Sequence, residues 1–192
     1  MGMNNSRNFD LLTLGQVLLR LSPPDNERLS RGDTFVKQVG GAELNVAVGA
    51  ALLGLHTGVI SKLPAHDIGS FMKGKIRSFG VSDDFFMYDQ SSSARVGIYY
   101  YENGAYPRKP KVIYDRNNSS FFSLNIDEIP EEVYTASKCF HTTGITLALN
   151  EDIRETTIDM IKRFKAAGTL VSFDVNFRGN LWTGDEAREC IL

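Results

Sequence analysis

The chain has 192 residues, 42% of them hydrophobic and 23% charged, with a formal net charge of −2. These values fit one globular domain and exclude a highly charged disordered chain or a basic nucleic-acid binder. Two cysteines and three scattered histidines fit neither a disulfide framework nor a metal spacing, so no metal site is expected.

Residues 1–8 are polar and lack the apolar core of a secretory signal, so they are expected to form a disordered leader. No apolar run is long enough to span a bilayer, and a cytoplasmic protein without a membrane partner is expected. Residues 9–192 are taken together as one α/β domain. Residues 9–14 form an apolar run stopped by Gly15, which predicts a strand buried on both faces. Residues 17–21 predict a second extended piece, ended by Ser22-Pro23-Pro24, and residues 25–33 a polar loop. Residues 34–39 return as a strand and run into Gly40-Gly41. Residues 43–53 are rich in alanine, valine and leucine on most of the helical surface, so a largely buried helix closed by Gly54 is expected.

Residues 57–62 predict another short strand. Asp67 is the expected N-cap of a helix that turns Phe71, Ile76 and Phe79 inward and ends at Gly80. Residues 81–89 are extended and lead to Ser91-Ser92-Ser93. Alternating strands and helices indicate a parallel sheet with covering helices. The texture then changes. Residues 95–102 and 111–116 are strands joined by the hairpin-like loop Asn103-Gly104-Ala105-Tyr106-Pro107. Period two puts Tyr99 and Tyr101 on one face, and Tyr114 with Arg116 on one face while Asp115 points away. This hairpin reads as a flap on the α/β core.

Afterwards the α/β pattern resumes. Residues 130–136 predict a short helix and 138–143 a strand ending at Gly144. Asn150 or Asp152 opens an amphipathic helix with Ile153, Thr157, Ile161 and Phe164 inward, closed by Gly168. Residues 169–175 predict a buried strand that runs into Asn176-Phe177-Arg178, and Gly184-Asp185 opens a last helix that runs to Leu192.

Parallel sheets bind ligands at the carboxyl ends of their strands. Those ends gather Gly40-Gly41 with Asn45, Gly144-Ile145, and Asp174-Asn176-Arg178, to which the flap adds Tyr99, Tyr114 and Arg116. Glycine admits close backbone approach, and a helix starting behind it points free N–H groups at a ligand. Arginine forks favour carboxylate or phosphate, so an oxygen-rich anionic small molecule is expected. Plain structural roles stand beside these: hairpin packing for the tyrosines, solvated charge for the arginines, and turn formation for Asp174. The sequence contains no P-loop, no G-x-G-x-x-G after its first strand and no G-x-S-x-G elbow.

Gly40-Gly41-Ala42-Glu43-Leu44-Asn45-Val46-Ala47 resembles the GGAExNVA signature of the PfkB (ribokinase-like) carbohydrate kinases. Arg20-Leu21-Ser22-Pro23-Pro24, Val112-Ile113-Tyr114-Asp115-Arg116, Thr143-Gly144-Ile145-Thr146 and Asp174-Val175-Asn176-Phe177-Arg178 fall in that family's order. The resemblance implies a three-layer α/β/α ribokinase-like core, here truncated, with a small β-sheet lid at about 17–22, 34–39, 94–102 and 110–116. It implies ATP-dependent phosphorylation, with Mg2+, of 2-keto-3-deoxygluconate or a similar ketose acid. Gly40, Gly41, Asn45, Tyr99, Tyr114, Arg116, Ile145, Asn176 and Arg178 are then the expected substrate contacts, Arg178 also serving to stabilise charge, and the lid the expected homo-oligomer contact. A fructose or 5-keto-2-deoxygluconate kinase, or a non-catalytic sugar-binding or dimerisation fragment, stays open. Two departures stand out. Gln16 occupies a place where the family usually has an acidic residue. The family's G-A-G-D segment, which supplies the catalytic Asp and most of the nucleotide site, does not occur in these residues. The catalytic base is therefore expected beyond Leu192, and these residues alone are expected to be inactive. Thr183-Gly184-Asp185-Glu186 reads as a helix N-cap instead.

Overall fold

The apolar runs assemble into a parallel sheet at the centre of the computed structural model, which describes residues 7–192. Of the leader expected at 1–8, residues 1–6 lie outside the described residues, and Arg7 donates to the carbonyls of Ala167 and Gly168. In chain order the first elements are β1 (Phe9–Leu14), β2 (Leu18–Ser22), β3 (Val36–Gly40), α1 (Ala42–Leu52), β4 (Thr57–Pro64) and α2 (Asp67–Arg77). Then come β5 (Val81–Ser82), β6 (Phe86–Asp89), β7 (Gly97–Glu102) and β8 (Lys111–Asp115). After three 3-10 turns follow β9 (Ser137–Thr143), α3 (Gly144–Leu147), α4 (Glu151–Ala166), β10 (Leu170–Asp174) and α5 (Gly184–Ile191).

The core sheet runs β10-β9-β1-β4-β5, with β6 also pairing β4, and every pairing is parallel. Helices cover both faces. Leu12, Leu14 and Phe140 pack against Ile153, Met160 and Phe164 on one side. Val59 and Leu63 pack against Leu44, Ala47, Met72 and Ile76 on the other. Burial on two faces explains why β1 and β4 read as continuous rather than alternating runs.

A second, four-stranded sheet has the order β3-β2-β7-β8 and forms the lid. The chain leaves β1 for the lid through Gly15-Gln16-Val17 and returns from β3 through Gly41 into α1. Leu18 pairs Gly40, so exit and return lie side by side and form the seam where lid meets core.

Several expectations need correction. The α1 helix is not largely buried: only Glu43, Leu44 and Ala47 are, while Leu52 and Leu53 are exposed. Its apolar residues encircle the helix, so composition could not reveal that only one stripe meets the sheet. Residues 169–175 do not form a buried strand, because β10 is an edge strand with exposed positions alternating along it. His66 rather than Asp67 caps α2, its ring nitrogen accepting from Gly69 N–H, and Asp67 takes the first-turn place that suits its charge. The 81–89 run splits into β5 and β6, and the 130–136 helix is a 3-10 turn over Glu131–Thr135. Asn150 is the cap of α4, and Thr183 caps α5 in a reciprocal box with Glu186. The last helix ends one residue short of the expected Leu192, which is its exposed C-cap and donates its N–H to the Arg188 carbonyl at 3.0 Å.

Candidate functional site

Glycines make the seam possible. Gly41 caps α1 at φ +154°, and a Cβ there would lie 2.7 Å from the Gln16 carbonyl oxygen. At Gly40 a Cβ would lie 2.4 Å from the Tyr99 hydroxyl, so only glycine lets that ring lie across the end of β3. Behind the seam, Glu43 is 2% exposed. Its Oε1 accepts from the hydroxyls of Thr143 and Thr146, each at 2.7 Å. Thr143 Oγ1 in turn accepts from Ile145 N–H at 3.1 Å, so one buried carboxylate ties α1 to the end of β9 and fixes Ile145.

The lid supplies the opposite wall. Register places Arg20 beside Tyr99 and Tyr99 beside Tyr114, so strand alternation aims Leu18, Arg20, Tyr99, Tyr101 and Tyr114 at one face. The Tyr99 and Tyr114 rings stand 6.0 Å apart, and the Arg20 guanidinium lies 4.3 Å over the Tyr101 ring. Burial pushes the Tyr99 phenol above its usual pKa, keeping a neutral hydroxyl donor. Arg116 sits 5.6 Å over the Tyr114 ring and donates from Nε to Gln16 Oε1 at 2.7 Å. Burial lowers its pKa and the Glu43 charge opposes that, but a guanidinium stays protonated.

Between seam and lid lies a cleft of about 410 Å³. Of the residues singled out from sequence, it brings together Gly41, Asn45, Tyr99, Tyr114, Arg116, Ile145 and Arg178. Gly40 lies under Tyr99 rather than on the wall, and Asn176 is not on the wall. Asn176 instead closes a turn, its N–H bonding Asp174 Oδ1 at 2.9 Å with φ +36°. Sequence reasoning missed Gln16, Arg20, Glu43, Tyr101 and Asn180 as wall residues. For Tyr101 a signal existed, since period two puts it on the face already assigned to Tyr99, whereas Arg20 joins that face only through the register of β2 against β7. For Glu43 the signal was a lone charge in an otherwise apolar helix start. Three arginines thus line the cleft, whose one carboxylate is already engaged by two threonines.

Comparison with known proteins follows the same line. The profile described as pfkB family carbohydrate kinase matches residues 8–192. The 2-dehydro-3-deoxygalactonokinase of Haloferax volcanii is 38% identical over 180 residues, which is 94% of this chain and 56% of that protein. The 2-dehydro-3-deoxygluconokinase of Bacillus subtilis is 30% identical, covering 91% of this chain and 53% of that protein. The crystal structure of the Thermotoga maritima 2-dehydro-3-deoxygluconokinase superposes with a TM-score of 0.90 at 36% identity, over 95% of this chain and 56% of that one. The chain therefore spans about half the length of the curated relatives it matches. With a matching profile over almost all its length, the chain belongs to the pfkB family of carbohydrate kinases.

Proposed function

We propose that the chain carries the sugar-binding part of an ATP-dependent kinase acting on 2-keto-3-deoxygluconate or a closely similar ketose acid. Arg116 carries this reading. It is a partly buried cation whose hydrogen bond goes to a neutral amide, in a cleft with two further arginines. The Glu43 charge opposes the effect of burial on Arg116 but forms no ion pair with it, and a sugar carboxylate would supply the direct two-point pairing that the guanidinium lacks. Gly41 N–H and Asn45 would hold hydroxyls, Tyr99 and Tyr114 would donate from above, and Ile145 would form the apolar wall. Arg178, at the carboxyl end of β10, would meet the carboxylate or the charge that develops on the transferred phosphoryl group. Gly40 makes room for Tyr99, and Asn176 shapes the turn that presents Arg178.

Relatives named as kinases support a nucleoside triphosphate and Mg2+ as co-reactants. Among the described residues no group of three His, Cys, Asp or Glu side chains could share a metal ion; a kinase Mg2+ needs fewer, since substrate phosphates and water supply most of its ligands. The base for the acceptor hydroxyl is assigned to no residue up to Leu192. None of the described helices is long and apolar enough to cross a membrane, and we place the protein in the cytoplasm. Phe35, Val36 and Ile113 stay exposed on the lid, which favours self-association there, testable by light scattering.

Thermal melting tests the binding reading. The sugar acid should raise the midpoint, ATP alone should not, and the pure chain should form no ADP. No shift with any ketose acid would overturn the reading, and robust turnover would overturn the placement of the base outside this chain.

A further inference from the structure

Glu43 lines the cleft although it is only 2% exposed, and its two oxygens have different surroundings. Oε1 accepts from the hydroxyls of Thr143 and Thr146, each at 2.7 Å. Oε2 receives no hydrogen bond from the described residues. It is nevertheless not sealed inside the protein, as the unpartnered Thr13 Oγ1 and His141 Nε2 are. It lies over Gly15, just past the end of β1, where a Cβ would stand 2.2 Å from it. Gly15 itself is spent: its N–H donates to the Ile60 carbonyl at 3.3 Å, and its carbonyl accepts from Ser61 Oγ at 2.8 Å. The next residue, Gln16, is spent as well. Its Oε1 accepts from Arg116 Nε at 2.7 Å, and its Nε2 donates to Ser119 Oγ at 2.7 Å and to the Arg116 carbonyl at 3.2 Å. Oε2 is therefore a carboxylate acceptor whose open side is the cleft.

We propose that Glu43 Oε2 accepts a hydrogen bond from a chain hydroxyl of the ketose acid, a reading that rests on the sugar-acid assignment above. A ketose acid presents two kinds of group. Its carboxylate needs donors, which the arginines of the cleft supply in excess. Its hydroxyls donate, and beside so many donors they are short of acceptors. Glu43 is the one carboxylate on the wall, and the two threonines fix it from the end of β9. A ligand that displaces solvent from the cleft has to replace the hydrogen bond that water gives Oε2. A hydroxyl replaces it, and a bare hydrocarbon chain does not. Glu43 thus selects for a hydroxylated tail, separately from the acid head that Arg116 reads.

Nuclear magnetic resonance titration of this chain compares 2-keto-3-deoxygluconate with 2-oxohexanoate, which has the same keto-acid head and six carbons but no hydroxyl. The wild type should bind the sugar acid more tightly. Glu43→Gln keeps an acceptor for the two threonines in its amide oxygen and puts an NH2 group in the place of Oε2. It should weaken the sugar acid by roughly 10- to 100-fold and leave 2-oxohexanoate within about threefold, because only the hydroxylated ligand loses a bond to a charged acceptor. Equal weakening of both ligands is what a purely structural role gives and would overturn the proposal, as would no weakening of either. If circular dichroism shows that Glu43→Gln does not fold, the wild type decides. The carboxylate carbon resonance of Glu43 should then move with the sugar acid and stay with 2-oxohexanoate. A resonance unmoved by the sugar acid, or moved equally by both, would overturn the proposal. A wild type that binds neither ligand would overturn the sugar-acid reading and this inference together, whereas a wild type that binds both equally well overturns the inference alone.

Discussion

Removing the Glu43 carboxylate tests the seam that holds the cleft together. In Glu43→Ala, the hydroxyls of Thr143 and Thr146 lose an acceptor at 2.7 Å, in a place where Glu43 itself is 2% exposed. Each charge-assisted hydrogen bond of this kind contributes about 1.5–3 kcal/mol. Against that stands the cost of burying the carboxylate, which the alanine no longer incurs. The net loss should be about 2–4 kcal/mol, a large share of an ordinary domain's stability. Glu43→Gln keeps an acceptor and should lose only about 1 kcal/mol. Urea unfolding followed by circular dichroism reads both values, with the alanine midpoint falling by roughly 1–2 M. Gly15→Ala adds an internal control, because its Cβ would lie 2.2 Å from Glu43 Oε2. That substitution should be costly in the wild type and much milder alongside Glu43→Ala. A Glu43→Ala chain within about 0.5 kcal/mol of wild type would refute the reasoning, since surface substitutions fall in that range.

Other expectations follow from contacts of the same kind. Gly40→Ala should weaken ketose-acid binding by about tenfold by displacing the Tyr99 ring, and Tyr99→Phe, which removes the clashing hydroxyl, should relieve the strain seen in the melt. Lys62 is 9% exposed and bonds Glu128 at 2.7 and 2.8 Å and the Ser123 carbonyl at 3.0 Å, so Glu128→Ala should cost about 2–4 kcal/mol in urea unfolding. Lys62→Met in the Glu128→Ala background should recover much of that loss, and no recovery would contradict an unpaired buried ammonium as its cause. Burial holds the His141 imidazole below its ordinary pKa of 6.5, with the Glu43 and Asp174 charges opposing. The unfolded chain therefore takes up the proton first, so this contribution is intact above 6.5 and lost as pH falls below it. His141→Gln should flatten the stability profile from about pH 7 to about pH 5, and an unchanged slope would assign it to other groups.

Features fixed by local geometry were legible in the sequence. The pairing face of Tyr99, Tyr101 and Tyr114 follows from strand alternation, and the caps at Asn150 and Thr183 from side chains that bond their own helix starts. The glycine-rich turn into α1 was legible for the same reason. Features set by what lies across a gap were not. Nothing local separates Leu52, exposed, from Leu44, buried, on the same helix. Nothing local marks β10 as an edge, because that depends on which strands pair. Gln16 was read only as a departure from a motif, whereas its role arises from a contact with Arg116 made 100 residues away in sequence. Asn176 failed to reach the wall because its positive φ folds it into a turn with Asp174.

The binding of a ketose acid in the cleft between lid and core is tested most directly by an amide nuclear magnetic resonance titration of this chain with 2-keto-3-deoxygluconate. The expected result is saturable shifts centred on Gly41, Asn45, Tyr99, Arg116 and Ile145, lost in Arg116→Ala. Saturable shifts centred elsewhere, or the same shifts at full strength in Arg116→Ala, would contradict the cleft as an anion-selective sugar site.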